Sequence, residues 1–279
     1  MAEIRRFSAA LGAVVEGVDC LTTSDDDVAT VRAAVNEHLV VVLPGQDLNS
    51  AQHCEFMARL GPLHFHPFLK LMDVPEIHHQ KIEQTMDSMA GVDHWHTDLI
   101  FAPEPVAFGS LHCYKAPEFG GGTEFGNMQL AYEALHPKWK EMLEGLECQY
   151  QLSTYMLDNF AKHFGDEARQ VWIDALAGTI HPVLRTHPET GRTSIFLSPD
   201  TRPDIVGMDK PESDAILRFL AEHCSRPNLT ARWTWSDGDL LIWDERATIH
   251  YGVRDGYPGE RNMRRVLVDG DRPYYAAAA

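Results

Sequence analysis

Leu229 to His250 reads LTARWTWSDGDLLIWDERATIH, and it sets the fold class of this chain. Residues 229–235 and 239–243 are short runs rich in β-branched, aromatic and aliphatic residues, too brief for helices and of the length expected of strands. Working outward, similar runs occupy 76–80, 106–114, 148–152, 181–186, 193–197 and 264–268. The polar segment THPETGR, Thr186 to Arg192, joins two of these runs as a hairpin loop. Eight strand runs point to a closed or two-sheet β architecture. Helical patterns occupy 128–145, 156–178 and 212–224, the last after Pro211 as a first-turn proline. They predict a jelly roll covered by helices.

The first sixty residues alternate differently. A helix is expected over 26–38, then a buried apolar run over 39–43 ended by Pro44-Gly45, then a helix over 50–60 with Ser50 as its N-cap. No repeat or linker interrupts the chain, apart from an Ala tail at 276–279 expected to fray, so one domain over 1–279 is the reading.

The chain has 279 residues, 44% hydrophobic and 23% charged, enough for a full core. Acidic residues outnumber basic ones, 41 against 24, and the net charge of −17 argues against nucleic acid or anionic membrane as a partner. No apolar run reaches the ~18 residues of a membrane span, and the N-terminus lacks a signal-type apolar stretch, so a cytoplasmic location is expected. The five cysteines are scattered without a CxxC pair and read as buried thiols. Histidine is the unusual component: there are 15, several in tight pairs at His64/His66, His78/His79 and His94/His96. Metal ligation is the chemistry to test.

The densest cluster is His94-Trp95-His96-Thr97-Asp98. On an extended segment its three polar side chains share one face, but they span about 13 Å at ~3.3 Å per residue. With ligand bonds of ~2.1 Å, only an adjacent pair can bind one ion, either His94/His96 or His96/Asp98. His250, after the buried run 239–243 and before an Arg-rich strand, is the best candidate for a third ligand. Two imidazoles and one carboxylate suit non-haem Fe(II), because they leave open positions for a chelating co-substrate and O2.

These motifs sit among others. Leu11-Gly12-Ala13 to Val18-Asp19, Val42-Leu43-Pro44-Gly45-Gln46, Leu63-His64-Phe65-His66-Pro67, Trp95-His96-Thr97-Asp98 and Gly120-Gly121-Gly122-Thr123 run in order along the chain. Ala131-Tyr132-Glu133-Ala134-Leu135, His181-Pro182-Val183 with Thr186 to Arg192, Trp243-Asp244, His250 and Arg264-Arg265 to Gly270-Asp271 follow. Taken together the chain resembles the taurine/2,4-D dioxygenase (TauD/TfdA) family of Fe(II)- and 2-oxoglutarate-dependent oxygenases. The resemblance implies a double-stranded β-helix fold and His96, Asp98 and His250 as metal ligands, with His94 a neighbour. It implies that Thr123 and Arg261 hold the remote carboxylate of 2-oxoglutarate, a task a two-pronged guanidinium and a hydroxyl suit. It implies a reaction in which Fe(II), 2-oxoglutarate and O2 oxidise a C–H bond and yield succinate and CO2.

By the same resemblance, His66 and Arg265 would hold the anion of a small carboxylate or sulfonate substrate, although Arg265 could instead pair with a core carboxylate. Segments 68–93 and 149–164 are the least familiar and would form a substrate-shaping lid. Phe65, Phe101 and Tyr155 could line an apolar pocket, with core packing as their commoner fate. Glu245 stands where many relatives have Asn and touches the surroundings of His250. Asp98 argues against halogenation, since related halogenases lack a carboxylate there. Hydroxylation, desaturation and follow-on cleavage remain open, as do tailoring of an amino-acid-derived intermediate and the oligomeric state, a homo-oligomer included. The triad by itself also permits a cupin-like zinc hydrolase or a metal- or ligand-binding protein; the Thr123/Arg261 pair discriminates, having no evident use without a dicarboxylate.

Overall fold

The computed structural model describes residues 2–65, 78–84, 93–150, 157–158, 161–162, 165–175, 179–201 and 203–277. Its strands are β1 (Glu3–Arg6), β2 (Ala13–Glu16), β3 (Val40–Leu43), β4 (His79–Gln84), β5 (Phe108–Lys115), β6 (Thr123–Asn127), β7 (Glu147–Tyr150) and β8 (Thr179–Pro182). They continue with β9 (Leu184–Thr186), β10 (Thr193–Ile195), β11 (Asp204–Ile205), β12 (Thr230–Trp233), β13 (Leu240–Asp244), β14 (Thr248–Gly252) and β15 (Arg261–Val268). The helices are α1 (Asp25–His38), α2 (Ser50–Ala58), α3 (Met128–Glu133), α4 (Pro137–Leu143), α5 (Asp166–Ala175) and α6 (Lys210–Cys224).

A seven-stranded sheet in the order β1-β2-β3-β13-β5-β15-β4 carries the architecture, and a three-stranded sheet β12-β6-β14 belongs to the same core. All pairings in the large sheet are antiparallel except β2 with β3. The apolar runs of β3 and β13 explain the layering, because their alternate residues enter different cores. Val41, Leu43, Leu240 and Ile242 pack with Val31, Val35, Phe56 and Met57 of α1 and α2. Val40, Val42, Leu241 and Trp243 pack with Phe125 and Ala231 of the smaller sheet. A sheet covered on both faces requires strands that are apolar throughout. The result is the helix-covered jelly roll that strand counting predicts. A third core joins α3, α6, β7, β9 and β10 to the outer side of β14 through Ile249.

Local signals place the helix ends. Ser24 caps α1 in a reciprocal box with Asp27, and Asn49 caps α2 in a box with Gln52, so Ser50 is the first helical residue and not the cap. The expected helix over 128–145 is two helices, since Pro137 begins a new one capped by His136. The run 181–186 breaks into β8 and β9, which pair with different strands. THPETGR does join an antiparallel pair, β9 with β10. Of the cysteines, Cys20, Cys113, Cys148 and Cys224 are buried and Cys54 is half-buried, all as free thiols. Among the described residues no helix is long and apolar enough to cross a membrane.

Candidate active site

His250 lies in the middle of β14, and the residue before it sets its direction. Ile249 enters the outer core, so His250 projects to the opposite face, between the two sheets. There its ring stacks 6.0 Å from Phe125, its register partner on β6, and lies 5.0 Å from Trp243. His96 joins this strand through one antiparallel bridge: its N–H donates to the His250 carbonyl at 3.0 Å, and its carbonyl accepts the His250 N–H at 2.8 Å. The His96 Nδ1–H donates to the His94 carbonyl at 2.8 Å, which leaves Nε2 free to ligate. Asp98 is carried inward by a turn at 98–101 that includes Leu99 at φ 54°, so the segment is not extended throughout.

The turn brings Asp98 Oδ1 to 3.9 Å from His96 Nε2, and ligand atoms of His96, Asp98 and His250 all lie within 4.8 Å of one another. Two atoms bonded to one ion at ~2.1 Å are at most ~4.2 Å apart, so a small adjustment completes the site. It is the one such cluster among the described residues. His94 stays outside it, with its Nδ1 3.4 Å from Asp93. Of the two pairs the spacing leaves open, the fold assembles His96/Asp98. The charge states suit a divalent cation. Burial and the neighbouring His96 hold His250 well below the usual imidazole range, hence neutral. Burial opposes ionisation of Asp98, but the Arg265 guanidinium beside it outweighs that and holds the carboxyl at about 2.

Glu245 bonds one of the three residues and lies beside a second. Its Oε2 accepts the Asp98 N–H at 3.2 Å and lies 4.0 Å from His250 Nδ1, while Oε1 accepts the Trp243 indole N–H at 2.6 Å. Burial and the charge of Asp98 push the Glu245 carboxyl well above its usual range. Gly109 makes room for this arrangement, since a Cβ there would stand 2.3 Å from the Trp243 ring and 2.9 Å from Glu245 Oε1. Beneath it, Asp244 accepts Arg246 and the His187 Nε2–H, and Arg246 continues to Glu189, which also receives Arg32 of α1. Thr97 is fixed by bonds to Thr248 and Ser198, holding the turn to β14.

Thr123 lies on β6 opposite Gly252, two residues along the register from the Phe125–His250 pair. It therefore faces the same interior, diagonal to His250 at a strand spacing of about 7–8 Å. Thr123 Oγ1 accepts from Trp235 Nε1 and from Arg261 Nη2, both at 3.1 Å. With two donors on its oxygen, the hydroxyl proton remains to be given to an acceptor. Arg261 is 4% exposed, belongs to β15 and not to a loop, and among the described residues has only neutral hydrogen-bond partners, Thr123 and Gln84. Its Nε–H is buried with no acceptor among the described residues, and burial lowers its pKa to about 10. A buried guanidinium of this kind is chemically suited to receive an anion.

Arg265 donates from Nη1 to Asp98 Oδ2 at 2.7 Å and from Nε and Nη2 to Gln80 Oε1 at 3.1 and 2.6 Å, which leaves one N–H on each Nη. It is thus the partner of a core carboxylate, with its far edge still able to donate. His66, Tyr155 and most of both expected lid segments lie outside the described residues. Phe101 is a core residue, and Phe65 packs edge-on against His78 at 5.8 Å. Gln80, Gln84 and Trp235 carry no sequence signal; their roles come from strand register.

The family model described as "Taurine catabolism dioxygenase TauD, TfdA family" matches residues 3–267. An alkylsulfatase of Acinetobacter baylyi is 29% identical over 277 residues, covering 96% of this chain and 85% of the relative. An alpha-ketoglutarate-dependent sulfate ester dioxygenase of Pseudomonas putida is 30% identical over 281 residues, covering 97% and 90%. The crystal structure of AAD-2 in complex with Mn(II) and N-oxalylglycine superposes with TM-score 0.78 at 28% identity, covering 99% of this chain and 100% of that one. Between the dioxygenase and the cupin-like hydrolase or binding protein that a triad alone permits, the match decides for the dioxygenase. The chain belongs to the TauD/TfdA family, whose members are 2-oxoglutarate-dependent dioxygenases that use Fe(II) and O2.

Proposed function

We propose that His96, Asp98 and His250 hold Fe(II), that Thr123 and Arg261 hold the remote carboxylate of 2-oxoglutarate, and that the primary substrate is a small carboxylate, sulfonate or sulfate ester oriented by Arg265. The bound metal, with 2-oxoglutarate and O2, supplies an oxidant able to cleave an unactivated C–H bond. Everything else belongs to the chain. His96 is turned by the His94 carbonyl so that Nε2 faces the triad, and Asp98 is held ionised with Oδ1 inward by Arg265 on Oδ2. Phe125 and Trp243 close the site against water on the side of His250.

The observation that carries the reading is Arg261: a buried guanidinium with a free Nε–H beside a hydroxyl whose proton is unspent. The Pseudomonas putida relative is named for sulfate esters, and Arg265 retains two N–H groups for such an anion. A cytoplasmic location accords with the sequence composition.

The test is an anaerobic titration of apo protein with Fe(II) and then 2-oxoglutarate, followed by the visible charge-transfer band of the chelate. The band is expected with the parent protein and weakened in Arg261→Ala. Succinate release is then screened with alkyl sulfates, sulfonates and carboxylates, and Arg265→Ala should chiefly raise KM for the substrate so found. Unchanged KM in that variant removes Arg265 from substrate binding.

A further inference from the structure

Strand β4 ends the large sheet and pairs with β15 so that Gln84 stands opposite Arg261, Ile82 opposite Met263, and Gln80 opposite Arg265. Alternate residues share a face, so Gln-x-Ile-x-Gln lies against Arg-x-Met-x-Arg on the side of the buried Met263. Each glutamine bonds the arginine beside it: Arg261 Nη1 donates to Gln84 Oε1 at 2.9 Å, and Arg265 donates twice to Gln80 Oε1. The amide orientation is unambiguous, because a guanidinium only donates and must meet the carbonyl end. The charged residues of β4 take the alternate positions: Glu83 bonds Lys81 and Asn262.

We propose that β4 is a positioning strand for the two arginines: its glutamines on the Met263 face orient each guanidinium through a neutral oxygen, and at Arg261, which has no carboxylate partner among the described residues, this leaves the charge to an anionic ligand. A carboxylate at position 84 would hold Arg261 equally well but would neutralise it, competing with the acid that the co-substrate brings. A neutral amide orients the fork without occupying its electrostatic demand. At Arg265 the amide takes the Nε/Nη2 edge and Asp98 takes one Nη1 donor, so an incoming anion meets the Nη1/Nη2 end. Neither glutamine touches the ligand in this scheme. They act through the arginines.

The inference rests on the co-substrate reading, and the experiment separates the two. Mn(II)-loaded protein is titrated calorimetrically with 2-oxoglutarate, for the parent, Gln84→Glu, Gln84→Met and Gln80→Glu, with a thermal midpoint recorded for each. Gln84→Glu is expected to raise Kd tenfold or more while its thermal midpoint holds or rises, because the new ion pair stabilises the fold as it removes the receptor. Gln84→Met, which loses the bond without adding charge, should raise Kd by no more than threefold to fivefold. Gln80→Glu should disturb 2-oxoglutarate less than Gln84→Glu does. Binding by Gln84→Glu within twofold of the parent overturns the proposal, as does an equal loss in Gln84→Met, which would reduce Gln84 to a packing role. Absence of binding by the parent overturns the co-substrate reading itself.

Discussion

Replacing Arg261 by methionine keeps a long unbranched side chain and removes the charge, and the structure fixes how much that should matter. Of five guanidinium N–H groups, one goes to Gln84 and one to Thr123, which leaves three uncommitted. A carboxylate can accept two of them, and hydrogen bonds to charged groups contribute roughly 1.5–3 kcal/mol each. Taking about 1.5–2 kcal/mol for each, the loss is about 3–4 kcal/mol, or a Kd for 2-oxoglutarate raised about 10²- to 10³-fold. Stability should move differently. Among the described residues the buried guanidinium has no counter-charge, and Thr123 keeps Trp235 when Arg261 is gone. Unfolding free energy should therefore change by less than about 1 kcal/mol. Calorimetric titration of the Mn(II)-loaded variant and urea unfolding of the apo variant measure the two quantities. A Kd within tenfold of the parent, or a loss of several kcal/mol in stability with it, refutes the assignment and makes Arg261 a structural residue.

Three further outcomes are expected. Glu245→Ala removes the acceptor of the Asp98 N–H and the neighbour of His250 Nδ1, and should weaken Mn(II) binding about 10- to 100-fold, with Glu245→Gln milder; an unchanged metal affinity in the alanine variant argues against any supporting role. Gly109→Ala drives a methyl into the Trp243 ring and should cost about 1–3 kcal/mol or more in urea unfolding, an effect absent if β5 and β13 can separate without loss. His181 is kept neutral by burial, which lowers its pKa from 6.5 to about 4, so between those values the unfolded chain binds the extra proton and stability falls as pH falls. The full span is worth on the order of 3 kcal/mol, and His181→Asn should flatten the acid limb of stability against pH; a limb that keeps its slope assigns it to other groups.

How far the sequence carries the fold depends on where side chains point. The 39–43 and 239–243 runs are legible because both faces of β3 and β13 are buried, and only uninterrupted apolar residues satisfy that. β14 and β6 are missed for the opposite reason. In Thr248–Gly252 the inward positions are Thr248, His250 and Gly252, and in Thr123–Asn127 they are Thr123, Phe125 and Asn127, so neither strand turns an uninterrupted apolar face inward to announce it. The chemistry that makes these strands functional is what hides them as strands. The HxD motif and the distal histidine are legible as residue types, yet the choice of Asp98 over His94 depends on a turn at Leu99 with positive φ, which spacing does not reveal. Gln80 and Gln84 are polar residues on an edge strand, and their meaning lies wholly in the register with β15.

The same alternation reconciles a chain of net charge −17 with a site built to receive anions. The acidic residues that adjoin Thr123 and Gln84 along their strands face outward: Glu124 of β6 bonds Thr230, Arg232 and Tyr251 on the outer side of its sheet, and Glu83 bonds Asn262. The inward neighbours of Glu124 are Thr123 and Phe125, and those of Glu83 are Ile82 and Gln84, none of them charged. At physiological ionic strength surface charges are screened beyond about 8 Å, whereas buried groups are screened much less. A small anion therefore meets a weak repulsion outside and an uncompensated guanidinium inside. Net charge governs what the whole surface repels, such as nucleic acid or an anionic membrane. Selectivity inside the fold is set by which residues of each strand the pleat turns inward, and here the pleat places Arg261, with neutral partners, within the barrel wall that also carries the metal triad.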